Sequence, residues 1–152
     1  YKINMTDIQA SLGIPQLKQV EKSLKVRNRI WTKYQKAFKN IKELQTPAPD
    51  EPFIVHARHL YALVLKPEYF KINRNCFVAA LQKEGIGSGV HFLPVHLHEY
   101  YRKTFGYKLG DFPHAEKIGL NIFSLPIYPT MNNQDAKDVI TAVIKLVNYY
   151  RK

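Results

Sequence analysis

The strongest constraint on the fold is a long apolar stripe near the start of the chain. Apolar side chains recur at steps of three and four residues between Leu17 and Ile41, and lysines fall between them. This spacing predicts one long amphipathic helix. A helix cannot bury such a face against itself, so the rest of the chain must cover it. The proline-rich segment "TPAPDEPF" (46–53) is therefore predicted to be a connector inside a single domain of residues 1–152.

Four residues add detail to the predicted long helix. Thr6 and Gln9 have the spacing of a capping box, so the helix is predicted to begin there. Pro15 has no N–H to donate to the Ser11 carbonyl, so we expect a kink or a restart at that point. Arg27 is the one charge on the stripe. Its stem can pack while its head meets a carboxylate or water, or it can contact a phosphate or carboxylate ligand.

The remainder of the chain alternates short strands and helices. A strand is predicted at 59–65 with both faces covered, and a helix follows from the cap residue Asn73 to Gly85. A second strand is expected within 87–92, two short helices within 98–105 and 112–120, a third strand within 121–128, and a last helix from about Asn133. The predicted fold is α+β, with a small, mainly antiparallel sheet of about three strands packed with helices.

Composition narrows the possible environments and partners. Hydrophobic residues make up 45% and charged residues 23% of the 152 residues, which is typical of a globular domain. The apolar runs are too short to cross a bilayer, so no membrane association is predicted. The single cysteine, Cys76, cannot form an internal disulfide, which fits a cytoplasmic protein, and we expect it to be a buried thiol. The net charge of +11 favours either an anionic partner or simply a solubilising surface.

The segment "GIGSGVHFLPVHL" (85–97) holds the most conspicuous candidate residues. A phosphate loop needs a strand, then glycines, then a helix, and here the order is reversed, so Gly85 is interpreted as a helix cap. His91, His96 and His98 could be metal ligands by number, but no cysteine or acidic pair completes a set. We therefore predict no metal site and interpret the histidines as structural or rim residues.

The segment "EYYRKTFGY" (99–107) interleaves aromatic and basic residues. Such a segment can stack on single-stranded nucleic acid, line a nucleotide pocket in an enzyme, or pack a short helix onto the sheet. These residues alone leave all three possibilities open.

Several stretches together resemble one family. They are residues 2–34, 56–65, 81–107, 112–131 and the closing helix, and they cover nearly the whole chain. In this order they are similar to the C-terminal part of the DegT-type sugar aminotransferases, which are pyridoxal-phosphate enzymes of the aspartate-aminotransferase fold. The resemblance implies that this chain is the C-terminal small domain of such an enzyme.

The resemblance also implies roles for individual residues. In the family, an asparagine before the long helix reaches the cofactor phosphate in the partner subunit of a homodimer, and Asn4 matches it. The motif Lys-Ile-Asn-Met looks like the variant of the aminoarabinose-forming enzymes, which leaves Lys2 as a second candidate. The family's H-x-x-P-x-H segment rims the substrate pocket. The matching substrate-binding residues are His91, Phe92 and His96, together with Tyr101.

The same resemblance implies an absence. The family's Schiff-base lysine and the other cofactor-binding motifs belong to a large domain, and none of them matches this chain. We therefore expect no catalytic residue here and no transamination by the chain alone. The full-length enzyme would transfer an amino group from glutamate to a nucleotide-linked keto sugar, for cell-surface polysaccharide or lipid A synthesis. The alternative hypothesis is a stand-alone basic module that binds nucleic acid or another polyanion.

Overall fold

The computed structural model describes residues 4–152 and has an α+β architecture. Its elements are α1 (Asp7–Phe38), β1 (Leu44–Gln45), β2 (Tyr61–Leu65), α2 (Arg74–Lys83), α3 (Glu99–Phe105), α4 (Pro113–Asn121), β3 (Ile122–Leu125) and α5 (Asn133–Tyr150). The predicted long helix and small sheet are both confirmed. None of the helices described here is both long and apolar enough to cross a membrane.

The sheet has three antiparallel strands in the order β1-β2-β3. In the central strand β2, Leu65 lies opposite Leu44 and Tyr61 lies opposite Leu125. Residues of β2 alternate between buried and half-buried, so only one face is fully covered, and the prediction of two covered faces is right only in part.

One predicted strand is wrong and one strand was missed. Residues 87–92 form no strand, and only Gly89 pairs with the sheet, in an isolated bridge to Ser124. Glycines weaken a strand because they add no packing side chain, and Pro94 cannot donate to a ladder. The sheet still has three strands because β1 takes the place of the wrongly predicted one. A strand of two residues is too short to give a periodic signal in the sequence.

Aromatic side chains from α1, α2 and the sheet form the centre of the core. The largest fully buried side chains include Tyr34, Phe38, Tyr61, Phe77 and Phe123. The hydroxyl groups keep partners despite this burial: Tyr34 Oη donates to the Pro126 carbonyl at 2.9 Å and Tyr61 Oη donates to Gln35 Oε1 at 2.7 Å. Burial raises the pKa of both tyrosines, so both remain protonated donors.

The start of α1 agrees with the predicted capping box, but its course differs from the prediction. The Thr6 and Gln9 side chains each accept a hydrogen bond from the other residue's backbone N–H. The helix then runs unbroken through Pro15, so a restart there is wrong. The predicted stripe is buried only in the C-terminal half of the helix, because Leu17 and Val20 are exposed.

Arg27 has a protein partner that was not predicted, a backbone carbonyl. Its Nε donates to the Ala57 carbonyl at 2.9 Å, so it holds the connector that follows β1. A guanidinium can satisfy a backbone carbonyl as readily as a carboxylate when a loop crosses the helix at the right height.

Local signals in α2 and α5 were more reliable. Asn73 Oδ1 accepts from the Cys76 N–H at 3.0 Å, and Gly85 closes the helix with a φ of 77°, both as predicted. The last helix begins at Asn133 and buries most of its predicted apolar side, although Ile140 and Ile144 are only half-buried. The expectation for Cys76 is wrong, since this thiol is exposed. Phe77 and Leu81 take the buried face of α2 instead.

Candidate functional site

The predicted rim segment is anchored first on Ser124 of β3. Gly89 and Ser124 exchange two backbone hydrogen bonds, at 3.0 and 2.8 Å. The side chains of the same region are also linked, because His91 Nε2 lies 2.5 Å from Ser124 Oγ. Ser124 is only 4% exposed, so the sheet holds both the backbone and the imidazole of the segment from a buried position.

A second anchor is the packing of Pro94 on Gly119 of α4. A Cβ added at Gly119 would lie 2.6 Å from Cγ of Pro94, which is too close for any side chain. The proline ring is rigid, so it could not turn aside to make room. Glycine at this position therefore lets the rim segment lie directly against the helix.

The third anchor is a buried pair between His96 and Glu116. His96 Nε2 lies 2.8 Å from Glu116 Oε1, and the Gly110 and Phe112 N–H groups donate to the same carboxylate. Burial acts to raise the pKa of Glu116, but the hydrogen bonds from His96, Gly110 and Phe112 outweigh it and hold this pKa below its ordinary value. An ionised carboxylate only accepts hydrogen bonds, so His96 Nε2 carries a proton.

Beside this pair lies a cavity of about 470 Å³ with mostly aromatic walls. Its lining residues are Val95, His96, Tyr101, Phe105, Tyr107, Phe112 and Ala115. Their rings follow one another in contact, from His96 to Phe112 at 4.7 Å between centroids and onward through Tyr107 and Phe105 to Tyr101. Walls of this kind suit the flat face of a ring, and the His96 imidazole and the Tyr101 hydroxyl supply polar groups.

The structure brings together some of the predicted site residues and separates others. His96 and Tyr101 line the same cavity. His91 is half-buried at the Ser124 anchor, and Phe92 is 87% exposed; neither lines that cavity. Asn4 is exposed just before α1, and Lys2 lies outside the described residues.

The histidines do not form a metal centre. His98 Nε2 lies 3.1 Å from the Leu93 carbonyl, so each of the three histidines has a different partner. Across residues 4–152, no group of three or more His, Cys, Asp or Glu side chains is placed to hold a metal ion.

The amino-acid sequence of the chain matches a known protein family. Residues 1–144 match the model of the DegT/DnrJ/EryC1/StrS aminotransferase family. The chain belongs to this family. The resemblance in residue motifs is therefore confirmed at the level of the family, and the aromatic cavity lies within the matched part of this aminotransferase-family chain.

Two relatives resemble the chain over nearly all of its length. An uncharacterised protein of Methanocaldococcus jannaschii, MJ1066, is 50% identical over 99% of the chain. The spore coat polysaccharide biosynthesis protein SpsC of Bacillus subtilis is 45% identical over 97% of it. The chain spans only 39% and 38% of the lengths of these two relatives.

Solved structures of the family share the fold. Spr1654 of Streptococcus pneumoniae, a proposed sugar aminotransferase solved in its PLP-form, superposes with a TM-score of 0.87 at 29% identity. That match covers 98% of this chain and 37% of Spr1654. PseC of Helicobacter pylori superposes with a TM-score of 0.84 at 22% identity. That match covers 99% of this chain and 39% of PseC, and it supports the fold alone.

The described residues do not make a complete pyridoxal-phosphate site. A Schiff-base lysine is activated by burial in an apolar pocket or by a neighbouring cation. Every lysine within residues 4–152 is exposed or half-buried, and none lines the aromatic cavity. The part of the chain described here offers such a cofactor at most a polar contact, such as the exposed amide of Asn4.

Sequence reasoning missed the residues that hold the rim segment in place. Glu116, Gly119 and Ser124 each contact a residue of the rim segment, yet none of them was singled out. One signal was present: Glu116 and Gly119 are three residues apart and so lie on one face of the predicted short helix. A charge and a glycine together on that face are poor choices for ordinary core packing.

Proposed function

We propose that the chain is the C-terminal small domain of a pyridoxal-phosphate-dependent sugar aminotransferase. The full-length enzyme transfers an amino group from glutamate to a nucleotide-linked keto sugar in the cytoplasm. The family match supports the aminotransferase class, and the names of SpsC and Spr1654 favour a sugar substrate in polysaccharide synthesis. The Lys-Ile-Asn-Met motif favours an aminoarabinose-forming enzyme, as in lipid A synthesis.

The observation that carries this proposal is the cavity that joins His96 and Tyr101. Its aromatic walls suit the flat faces of a nucleobase or a sugar ring, and aromatic stacking on a base contributes about 1–3 kcal/mol. His91 and Phe92 lie on the same anchored segment, where they can border a larger substrate. The net charge of +11 complements the diphosphate of a nucleotide sugar.

The proposal assigns the chemistry to a part of the enzyme other than this one. This chain supplies the substrate rim, and in a homodimer Asn4 contacts the cofactor phosphate of the partner subunit. A large domain supplies the lysine that binds the cofactor. The chain alone is therefore expected to be inactive and to give no internal-aldimine absorbance with added pyridoxal phosphate.

The test is a pair of histidine variants in the full-length enzyme. His96→Ala removes a polar wall of the cavity, so the KM for the nucleotide sugar should rise about tenfold or more, the effect of one lost hydrogen bond in a desolvated site. His98→Ala is the matched control, because His98 bonds to the Leu93 carbonyl outside the cavity lining. Equal KM values for the two variants would remove the cavity from the substrate site.

The polyanion-binding alternative gains no support from these findings. In the segment 99–107, the rings of Tyr101 and Phe105 line the aromatic cavity, whereas Arg102 and Lys103 line a different depression. Lys103 also pairs with Glu99 at 2.5 Å. Tyr107 lines both depressions, so one ring of the segment lies beside the cations, whereas the rings of Tyr101 and Phe105 line only the cavity that lacks them.

A further inference from the structure

We propose that Glu116 is a positioning residue that fixes the imidazole of His96, so that Nδ1 is the nitrogen offered to the substrate. The inference rests on the proposed function, because it takes His96 as a substrate contact. It adds a residue that neither the family match nor the relatives' names assign.

The first step is the placement of the carboxylate. Glu116 is 7% exposed and lies on α4, directly under the 3₁₀ turn Val95–Leu97 that carries His96. Its Oε1 accepts from His96 Nε2 at 2.8 Å, and both carboxylate oxygens accept from the Gly110 N–H. A buried carboxylate with this many hydrogen-bond donors has one stable orientation. It therefore also fixes the orientation of the imidazole ring that is hydrogen-bonded to it.

The second step concerns the other ring nitrogen. A hydrogen bond at one nitrogen of histidine sets the state of the second. Since Nε2 donates to Glu116, a neutral His96 has a bare Nδ1 that can accept from a ligand hydroxyl, and a charged His96 has an Nδ1–H that can donate. Within the described residues, the imidazole of His96 has one hydrogen-bond partner, Glu116 at Nε2, and Ser88 Oγ is the one buried side-chain polar atom without a partner, so Nδ1 of His96 is not sealed inside the protein.

The third step is that the same carboxylate also holds the neighbouring wall of the cavity. The Phe112 N–H donates to Oε1 at 3.2 Å, and the Phe112 ring lies 4.7 Å from the His96 ring. One buried side chain thus fixes two neighbouring walls. Loss of the carboxylate should therefore disturb substrate binding more than it disturbs the distant core around Phe77 and Phe123.

A double-mutant cycle in the full-length enzyme tests the inference. Glu116→Ala should raise the KM for the nucleotide sugar about tenfold, in line with one charge-assisted hydrogen bond, and leave the KM for the amino donor within twofold. In a His96→Ala background, the same substitution should add much less than tenfold, because, of its contacts to the cavity walls, only the one to the Phe112 N–H remains for it to remove. Glu116→Gln keeps an acceptor oxygen, so it should give an intermediate KM with a nearly unchanged Tm.

Two outcomes would overturn the inference. One is a lower Tm for Glu116→Ala with no change in KM, which would indicate a purely structural carboxylate. The other is a full tenfold effect of Glu116→Ala in the His96→Ala background. If His96→Ala itself leaves the KM unchanged, the proposed substrate contact fails instead.

Nitrogen-15 NMR of the histidine side chains in this chain separates the two failures, because it needs no activity. In its neutral form, His96 should show a protonated Nε2 and a bare Nδ1, and Glu116→Gln should increase the other tautomer. His98 serves as the control and should not respond. A protonated Nδ1 with a bare Nε2 in the unmodified chain would refute the positioning role, whatever the kinetics show.

Discussion

The apolar stripe of α1 that begins at Leu17 lies in opposite environments in the two halves of the helix. In the N-terminal half, Leu17 and Val20 are 74 and 44% exposed. In the C-terminal half, Tyr34 and Phe38 are fully buried against the sheet and α5. The helix has the same spacing and handedness throughout, so the difference comes from what lies beside each half.

This contrast teaches that periodicity reports an apolar face and not the partner that covers it. Leu17 and Val20 were predicted to lie on a buried stripe because the steps of three and four continue through them. The described residues bring no sheet strand or helix over that part of α1. In the homodimeric enzyme proposed above, the large domain and the partner subunit are the candidates to cover this face.

The largest expected effect on stability comes from removing a large side chain in the buried half of α1. Phe38→Ala should lower the free energy of unfolding by about 3–5 kcal/mol, because it removes a fully buried ring and leaves a cavity. Ile8→Ala is the control from the exposed half and should change it by less than about 0.5 kcal/mol. Urea denaturation of the chain measures both. Similar losses for the two variants would contradict the contrast.

The next effect on stability concerns Arg58, whose side chain contacts α1 near the start of its buried half. Its guanidinium lies 3.8 Å from the centroid of the Trp31 ring, pairs with Asp50 and donates to Asn28 Oδ1 at 3.3 Å. These contacts hold Arg58 at a φ of 51°, which is unfavourable for a residue with a side chain. They thereby fasten the connector to α1 where its burial begins.

Arg58→Lys should lower the free energy of unfolding by about 1–2 kcal/mol, because lysine keeps the charge but loses the planar stack and the fork. The Asp50 side chain is 43% exposed, so solvent screens that ion pair and most of the loss should come from Trp31. Arg27→Lys is the matched control, since Arg27 makes one exposed bond to a backbone carbonyl. Equal denaturation midpoints for the two variants would rule out a special role for Arg58.

The same contrast explains how much of the fold the sequence could predict. The caps at Thr6 and Asn73 and the helix end at Gly85 were predicted correctly, because their partners are only a few residues away. The two-residue strand β1 was missed and the strand at 87–92 was wrong, since both depend on which distant residues pair.

The site divides along the same line. His96 and Tyr101 were predicted through family motifs, and the cavity brings these two together. Glu116 was missed because its partner His96 is 20 residues away, on the far side of α3, and no local pattern links them. The prediction that the Cys76 thiol is buried was wrong, since the thiol is exposed and its neighbour Phe77 lies on the buried face of α2.

A smaller global effect is expected from Pro15, which lies in the exposed half. Proline inside a helix costs about 3 kcal/mol relative to alanine. Because this half packs on nothing in the described chain, Pro15→Ala should strengthen the helix locally and leave the global unfolding midpoint nearly unchanged. Amide hydrogen exchange within residues 7–20 should slow by up to about a hundredfold. Unchanged amide exchange in residues 7–20, or a large rise in Tm, would mean that the N-terminal half of α1 unfolds together with the core.

The smallest expected effect on the chain itself, and the one that sharpens the contrast most, is that of Leu17→Ala. Leu17 is 74% exposed, and alanine is as good a helix former as leucine, so the free energy of unfolding of the chain should change by less than about 0.5 kcal/mol. In the full-length enzyme the same substitution should cost about 2–5 kcal/mol if another domain or subunit buries this face. Thermal denaturation of both proteins, each with Leu17→Met as the volume-conserving control, measures the difference. A small effect in both would show that the exposed half of α1 stays in solvent, and that its apolar pattern has no partner.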